Sequence, residues 1–325
     1  MTPAPEISVA VASRDRPVRL RWLLNALEEQ TLARDRFEVV VAHDSGAPEV
    51  EELLRSHPLA RAGVLRHVRL PPFPGPARNR NASWRMATAP LVAFIDDDCR
   101  PAPDWLEAAL DAATRTPGAV VQGRTLPDPD EQVHLVASPH TLTQRIEPPT
   151  PWAETCNIVY PRAVLEREGG FDEGAGLVAG EDTDLGWRAR GSGTPFIAAP
   201  GALAWHAVEP VSLWRLLRWT LRWRQLPLVV RRHPGLRAHY PGRYFWRPSH
   251  VKAVVGMAGI ALASRHRAFA LFALPWLAHN LSHRYGPTAR GRARTASELP
   301  GRLVVDAFEV AVLAFGSVRH RSLLL

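Results

Sequence analysis

The feature that most constrains this chain is the alternation of short apolar runs with helical patterns near its start. Three apolar runs have the length and composition of buried β-strands: ISVAVAS (7–13), FEVVVAHDSG (37–46) and LVAFI (91–95). Four leucines between the first two runs recur at helical spacing: Leu20, Leu23, Leu24 and Leu27. Strands that alternate with helices predict an α/β fold with a mostly parallel, doubly wound sheet.

The pattern loosens after residue 100 and changes character near residue 209. We predict the following further segments: a helix at 104–115, strands at 118–123, 155–160 and 196–206, a linker at 126–151 and a Gly-rich loop at 169–180. From residue 210 onward the segments are helical and rich in Trp and Arg. We therefore predict an α/β domain at 1–209 and a C-terminal helical region at 210–325.

The composition fits a folded protein that carries an excess of positive charge. Hydrophobic residues make up 46% of the chain, and the formal net charge is +8. Lys252 is the only lysine, so we attribute the many arginines to coding bias and expect no nucleic-acid partner. Cys99 and Cys156 form no disulfide framework and no secretory signal is recognised, which favours the cytoplasm.

Polar residues follow the three apolar runs where a ligand is expected. They are Ser13–Asp15, His43–Ser45 and Asp96–Asp98. In open α/β sheets ligands bind beyond the carboxyl ends of the strands. Three adjacent carboxylates repel one another unless a cation intervenes, and Mg²⁺ or Mn²⁺ suits such a group. The alternative is an acidic turn that caps the next helix.

Three further motifs have both a structural and a functional interpretation. The segment GGFDEGAGLVAGEDTDLGWR (169–188) predicts a loop before a helix whose first turn is acidic, so one acid is either a general base or simply favoured by the helix dipole. His206 is either a metal ligand or a satisfied strand residue. In GPARNRNA (75–82), Arg78 and Arg80 either bind a diphosphate at a helix start or lie on the surface.

Taken in order, these motifs resemble the family 2 glycosyltransferases, which are inverting enzymes of the GT-A fold. The resemblance covers roughly residues 6–208 and rests on HDSG, GPARNRNA, FIDDDCRPAPDWL, GGFDE…GEDTDLGWR and WH. It implies that residues 1–209 form the catalytic domain. It also implies a set of donor-binding residues: Ser13, Asp44, Arg78, Asp96 and Asp97.

The resemblance further implies a divalent cation, Mg²⁺ or Mn²⁺, that is held by Asp98 and His206. It makes Asp182, paired with Glu181, the catalytic base that activates an acceptor hydroxyl. A single displacement with one base inverts the anomeric configuration. The family usually has two acids and then Gly-Ser after its second strand, whereas this chain has HDSG (43–46), so the nucleotide stays open.

The expected reaction is the transfer of one sugar from a nucleotide-sugar donor to a glycan or lipid-linked glycan of the cell surface. The Q-x-x-R-W motif of processive synthases is not matched, because Arg215 stands three residues before Arg218 and Trp219 three before Arg222. One alternative is a sugar-nucleotide nucleotidyltransferase, although ASRDRP (12–17) replaces the Gly-rich loop it needs. Another is a scaffold that binds nucleotide sugars or membranes without turnover.

The C-terminal region contains a basic amphipathic pattern that is typical of interfacial membrane helices. In residues 212–233, Arg215, Arg218 and Arg222 form a stripe beside several tryptophans. The alternative is an ordinary helix that packs its apolar face on the protein. The apolar runs are shorter than the roughly 18–20 residues that cross a bilayer. We therefore expect a cytoplasmic protein, which attaches peripherally to the inner face of the cell membrane if the first of these two interpretations holds.

Overall fold

The computed structural model describes residues 4–73, 75–281 and 285–325, which divide into two compact units. The first unit comprises the described residues up to Glu131 together with Thr143–Val208. The second comprises Gln132–Leu142 and the described part of Glu209–Leu325. A short segment of the predicted linker at 126–151 thus belongs with the C-terminal unit and forms a helix and a strand of its own.

The first unit is built from strands and helices that mostly alternate along the chain. Its strands are β1 (Ile7–Ser13), β2 (Phe37–His43), β3 (Leu65–Arg69), β4 (Leu91–Asp96), β5 (Cys99–Pro101), β6 (Val120–Pro127), β8 (Asn157–Pro161) and β9 (Phe196–His206). Its helices are α1 (Pro17–Glu28), α2 (Pro48–Ser56), α3 (Pro58–Arg61), α4 (Ala77–Met86), α5 (Trp105–Arg115), α7 (Arg162–Glu168) and α8 (Glu181–Gly191), with a 3₁₀ turn at Pro129–Glu131.

These strands form one mixed sheet with the order β3-β2-β1-β4-β8-β6-β9-β5. The four strands from β3 to β4 pair in parallel, as do β6 and β9. Strands β8 and β5 pair antiparallel to their neighbours. The predicted α/β class is confirmed, and the parallel part is the half whose apolar runs are continuous, as expected for strands covered on both faces.

Both faces of the sheet are covered by helices, which gives two apolar layers. On one face, β1 contributes Ile7, Val9 and Val11, and the layer includes α1, α2 and α5. On the other face the layer includes Ala10 of β1 with α4, α7 and α8. The alternation of β1 side chains between the layers follows from the two-residue period of a strand.

The second unit is helical apart from one strand pair. It contains α6 (Val133–Ala137), β7 (Thr141–Leu142), β10 (Glu209–Pro210), α9 (Leu213–Thr220), α10 (Leu226–Arg232), α11 (Pro248–Leu262), α12 (Leu274–Asn280), α13 (Ala289–Ser297) and α14 (Leu299–His320). Turns of 3₁₀ helix occupy Leu221–Gln225, Pro234–His239, Pro241–Arg243 and Arg267–Ala273. Strands β7 and β10 pair antiparallel.

The helices at 212–233 are shorter than the sequence pattern predicted, and none of the described helices of this unit is suited to crossing a membrane. The basic pattern at 212–233 does not form one helix, because the chain passes through 3₁₀ geometry between α9 and α10, where Pro227 sits in the first turn of α10. Within the described residues, no helix combines the length and the apolar character that crossing a bilayer requires.

Candidate active site

The carboxyl ends of three parallel strands meet at one edge of the sheet. In the register of the sheet, Ser13 of β1 lies opposite His43 of β2, and Ala12 lies opposite Asp96 of β4. The polar residues that follow these strands therefore lie side by side, as the strand-end argument predicted.

Asp97 is buried beneath this edge and is held by the last residue of β1 and by a residue of the turn that follows it. The Ser13 hydroxyl donates to Asp97 Oδ2 at 2.8 Å, and Arg16 donates to Asp97 Oδ1 at 3.3 Å. Burial raises the pKa of Asp97 to about 7, which Arg16 opposes and the neighbouring Asp98 reinforces. Ser13 and Asp97 are thus hydrogen-bonded to each other below the surface of the site.

Asp98 lies at the opening of the site between Arg16 and His206. Arg16 donates to Asp98 Oδ2 at 2.5 Å, and His206 Nε2 lies 3.6 Å from Asp98 Oδ1. Burial pushes the pKa of Asp98 up, but the electrostatic effects of the neighbouring His206 and Arg16 outweigh it, so the pKa is lowered. Asp98 is therefore a carboxylate at neutral pH.

Asp98 and His206 fit a divalent cation on chemical grounds. His206 Nδ1 lies 2.9 Å from the carbonyl oxygen of Ala207, which only accepts, so Nδ1 carries a hydrogen. Nε2 faces Asp98 and is therefore the nitrogen whose lone pair a cation would use, with release of any proton it holds. Arg16, which is partly exposed, supplies the positive charge that a cation would replace. Cys99 also comes within 4.8 Å of this pair, but it is buried in the apolar layer and its thiol pKa is raised by Cys156 and by burial.

Arg80 joins the end of β4 to the start of α8. Its guanidinium donates to Asp96 at 2.8 Å and to Glu181 Oε1 at 2.5 Å. Arg80 and Glu181 are both buried, and Glu181 Oε2 has no hydrogen-bond partner among the described residues. A buried arginine needs carboxylate partners, so this bridge fixes the acidic strand end relative to the helix that carries the predicted base.

Asp182 follows Glu181 in the first turn of α8 and is half-buried. The backbone N–H of Thr183 donates to its carboxylate at 2.7 Å. Burial and the adjacent Glu181 raise the pKa of Asp182 to about 8, although Arg80 acts in the opposite direction. At this helix start, desolvation and a neighbouring carboxylate therefore outweigh the favourable effect of the helix dipole on an ionised acid.

Asp44 and Arg78 lie in a second corner, around the backbone of Phe73. Asp44 accepts a hydrogen bond from Asn79 at 3.0 Å and another from the N–H of Phe73 at 3.2 Å. The Arg78 guanidinium stacks over the Phe73 ring at 5.6 Å. Arg14 connects the corners, since its side chain lies 3.5 Å from Asp44 while its N–H donates to Asp97.

The Gly-rich loop before α8 packs closely on the start of the GPARN segment. Gly75 has a φ of +78°, and a Cβ at this position would overlap the carbonyl oxygen of Leu177 and approach Val178. The segment that leads into α4 and the loop that leads into α8 are thus in backbone contact, which only glycine permits at this position.

Sequence reasoning missed the structural role of two arginines, Arg16 and Arg80. For Arg80 the helical period held a signal. Ala77 and Trp84 are apolar and seven residues apart, so positions 80 and 81 share their face, and all four residues are buried. A buried arginine next to an acidic strand end indicates a charge bridge. No comparable pattern marks Arg16, which lies in the turn before α1.

Comparison with known proteins identifies the family. The family model for glycosyl transferase family 2 matches residues 8–167, and that for glycosyl transferase family group 2 matches residues 91–281. A validoxylamine A glucosyltransferase from Streptomyces hygroscopicus subsp. jinggangensis is 28% identical over 265 residues, which cover 71% of this chain and 62% of that protein. The chain thus spans less than two thirds of this relative.

Solved structures share the fold over nearly the whole chain. A mannosyltransferase from Pyrobaculum calidifontis, in complex with GDP-Man and Mn²⁺, matches with a TM-score of 0.58 and 21% identity. This match covers 98% of the present chain and 88% of the mannosyltransferase chain. TarS (1–349) from S. aureus, in complex with UDP, matches with a TM-score of 0.52 and 17% identity. This match covers 98% of the present chain and 92% of the TarS chain. At these identities the likeness shows the fold, which is GT-A with a C-terminal helical region. The family models show that this chain belongs to the family 2 glycosyltransferases.

Proposed function

We propose that this protein transfers a single sugar from a nucleoside diphosphate sugar to an acceptor hydroxyl, with inversion at the anomeric carbon. The observation that carries the proposal is the bridge from Asp96 through Arg80 to Glu181. It joins the acidic strand end, where a donor would bind, to the helix start that bears Asp182. The donor-binding acids and the proposed base then belong to one connected network. Such a network holds the donor and the base in a fixed relative position, which a displacement on a bound sugar requires.

Donor binding is assigned to the residues around the strand ends. Asp44 and Asn79 offer a carboxylate and an amide to a nucleoside base, and Arg78 beside Phe73 offers a cation to the diphosphate. Asp96 is the most exposed of the three acids and is the group for the ribose hydroxyls. Ser13 acts with Asp97 by keeping the strand end in place.

Asp98 and His206 are the residues that would hold Mg²⁺ or Mn²⁺. When bound, the cation supplies charge neutralisation to the departing diphosphate, as a Lewis acid does. Arg16 has to yield its contact with Asp98 for this, and its partly exposed side chain can move into solvent. When the cation replaces Arg16, the lone pair of His206 Nε2 and the ionised carboxylate of Asp98 would bind it.

Asp182 is the proposed base. In its ionised form, the carboxylate is oriented by the Thr183 N–H and accepts the proton of the attacking hydroxyl, and the raised pKa makes it a stronger base. Glu181 is engaged by Arg80 and is buried, so we assign it a positioning role in place of direct contact with substrate. With Glu181 occupied in this way, Asp182 works alone as the base, which supports inversion.

The acceptor is proposed to be a glycan or a lipid-linked glycan of cell-surface polysaccharide synthesis, reached from the cytoplasmic face of the membrane. Two properties of the C-terminal unit support a membrane partner. Residues 209–325 contain 19 basic and four acidic residues, a formal charge of +15, against −7 for residues 1–208. Of the 20 large apolar side chains that are exposed among the described residues, 18 belong to this unit.

Exposed apolar side chains beside arginines are the pattern of an anionic membrane surface. The segment from α11 to α12 shows it most clearly, because Ile260, Leu271 and Phe272 are exposed and Arg265 and Arg267 lie between them. Nucleic acid would account for the charge but not for the apolar surface, so we propose no nucleic-acid partner.

Membrane attachment is tested by flotation with vesicles that contain anionic lipid. We expect the chain to float with these vesicles and much less with neutral ones, and Leu271→Ser/Phe272→Ser to reduce binding at least several-fold. Val18→Ser, an exposed apolar position in the first unit, is the control. If the chain stays in the bottom fraction with both vesicle types, the membrane proposal is wrong.

Sugar transfer itself is tested by release of nucleoside diphosphate and by product analysis. The purified chain is incubated with Mn²⁺, a panel of nucleotide sugars and a glycan or polyprenyl-linked acceptor, and the product anomer is assigned by NMR. One donor should be consumed, and the new linkage should have the opposite configuration. Retention would contradict the single-base mechanism, and binding without turnover of any donor would indicate a scaffold.

A further inference from the structure

A second group of metal-ligating side chains lies inside the C-terminal unit, between α11 and α14. His250 stands in the first turn of α11, and Asp306 and Glu309 are one turn apart on α14, so they share a face. All three are buried, with exposures of 0%, 8% and 3%. One ligand atom from each comes within 4.8 Å of the others.

The contacts inside this group leave donor atoms that a metal ion could use. His250 Nε2 lies 3.0 Å from Glu309 Oε2, and a nitrogen lone pair cannot approach a carboxylate oxygen so closely unless a proton or a metal ion lies between them. His250 Nδ1 has no hydrogen-bond partner among the described residues. Trp276 donates to Asp306 Oδ2 at 2.8 Å, which orients that carboxylate and leaves Oδ1 for a ligand.

The described surroundings offer these two buried carboxylates little compensating charge. Arg247 lies 3.5 Å from Glu309, but its side chain is 45% exposed. Two carboxylates without a compensating cation would be expensive to bury. Either a proton shared within this group or a bound metal ion therefore has to lie between His250 and Glu309.

We propose that His250, Asp306 and Glu309 form a binding site for a divalent transition metal, with Zn²⁺ as the best match. One imidazole nitrogen and two carboxylate oxygens suit a borderline cation, whereas Mg²⁺ and Ca²⁺ prefer oxygen ligands throughout. The three protein ligands leave one position for water, and Trp276 is the outer partner that orients Asp306. The metal ties α11 to α14, and it is independent of the proposed sugar transfer.

The test measures metal content in full-length protein whose first site has been removed by Asp98→Ala. After incubation with Zn²⁺ and exhaustive dialysis, we expect one Zn²⁺ per chain by mass spectrometry. Asp306→Asn and Glu309→Gln, which preserve shape, should each weaken Zn²⁺ binding at least tenfold in this background. His279→Gln, an exposed histidine of the same unit, is the matched control and should retain the ion.

Two further readouts separate this site from the alternatives. Zn²⁺ should raise the thermal unfolding midpoint of Asp98→Ala but not that of Asp98→Ala/Asp306→Asn. The Co²⁺-substituted protein should show nitrogen and oxygen ligation without a thiolate charge-transfer band. The proposal is overturned if Asp98→Ala retains no Zn²⁺, in which case a proton alone joins His250 and Glu309, or if Asp306→Asn and Glu309→Gln bind Zn²⁺ as tightly as their parent. A thiolate band would place the ion at Cys99 and would also overturn it.

Discussion

Arg80 and Glu181 are paired in the interior at 2.5 Å, across more than a hundred residues of sequence. Because the same guanidinium also binds Asp96, the pair connects the central strand β4 to the first residue of α8. The acids of the two family motifs are thus held in place by one side chain that belongs to neither motif.

Removing the bridge should destabilise the protein strongly. Arg80→Met leaves Glu181 buried without its partner, and breaking such a pair by removing one member costs about 3–5 kcal/mol. Urea denaturation should show this loss in the free energy of unfolding. Arg78→Met is the matched control, since Arg78 stacks on Phe73 and is only half-buried, and it should lose under about 1 kcal/mol. Equal losses of unfolding free energy in the two variants would mean that the bridge contributes no more to stability than the contact of Arg78 with Phe73 does.

Replacing the proposed base should abolish turnover while nucleotide binding persists. We expect Asp182→Asn to lower kcat by roughly 10²–10⁴-fold, the usual contribution of a general base. Calorimetry should find nucleoside diphosphate affinity close to that of the parent. Asp184→Asn tests specificity within the same helical turn, because Asp184 is buried against Arg188 at 3.0 Å. It should lower stability yet keep kcat, and a similar kcat for all three proteins would remove Asp182 from the mechanism.

The raised pKa of Asp182 makes stability depend on pH in a defined direction. Its folded pKa is about 8, whereas an unfolded Asp titrates near 3.9, so between these values the folded state holds a proton that the unfolded state releases. Its contribution to stability is therefore greatest at low pH and declines as the pH rises towards 8. Asp182→Asn should gain stability relative to the parent between pH 5 and pH 8, measured by urea denaturation. If the difference between the two proteins is the same at both pH values, Asp182 is not perturbed in this way.

The backbone contact between the two loops should make Gly75 intolerant of any side chain. Gly75→Ala forces a Cβ into a positive φ and against Leu177, which should cost about 2 kcal/mol or more. Gly46→Ala is the control, because its Cβ would meet no atom within 4 Å, and its effect should stay within about 0.5 kcal/mol. Thermal unfolding of both variants measures the contrast. A tolerated alanine at position 75 would indicate that the loops are not in contact in solution.

The sequence predicted the parallel half of the sheet well because those strands are continuous apolar runs. It also located Asp96–Asp98 at a strand end and Glu181–Asp182 in a first helical turn, both of which the structure bears out. Both are local features, which the hydrophobic periodicity of the neighbouring residues predicts.

What the sequence did not reveal depends on contacts between distant segments. The Arg80 bridge needs β4 and α8 to be adjacent, and the pKa of Asp182 depends on burial that no single motif encodes. The break at residues 221–225 and the pairing of β7 with β10 were likewise not predicted. The charge contrast was available, however: comparing residues 209–325 with the rest gives +15 against −7, which averaging over the chain had hidden.

The most direct test of the account is a calorimetric titration with a panel of nucleoside diphosphates, with and without Mn²⁺, on the parent chain and on Asp98→Ala. The account predicts that one nucleotide binds in the presence of Mn²⁺ and that Asp98→Ala loses this metal-dependent binding. Exposed Asp104→Asn should behave as the parent does. If no nucleotide binds with Mn²⁺ present, Asp96–Asp98 is an acidic turn and the protein is not the transferase proposed.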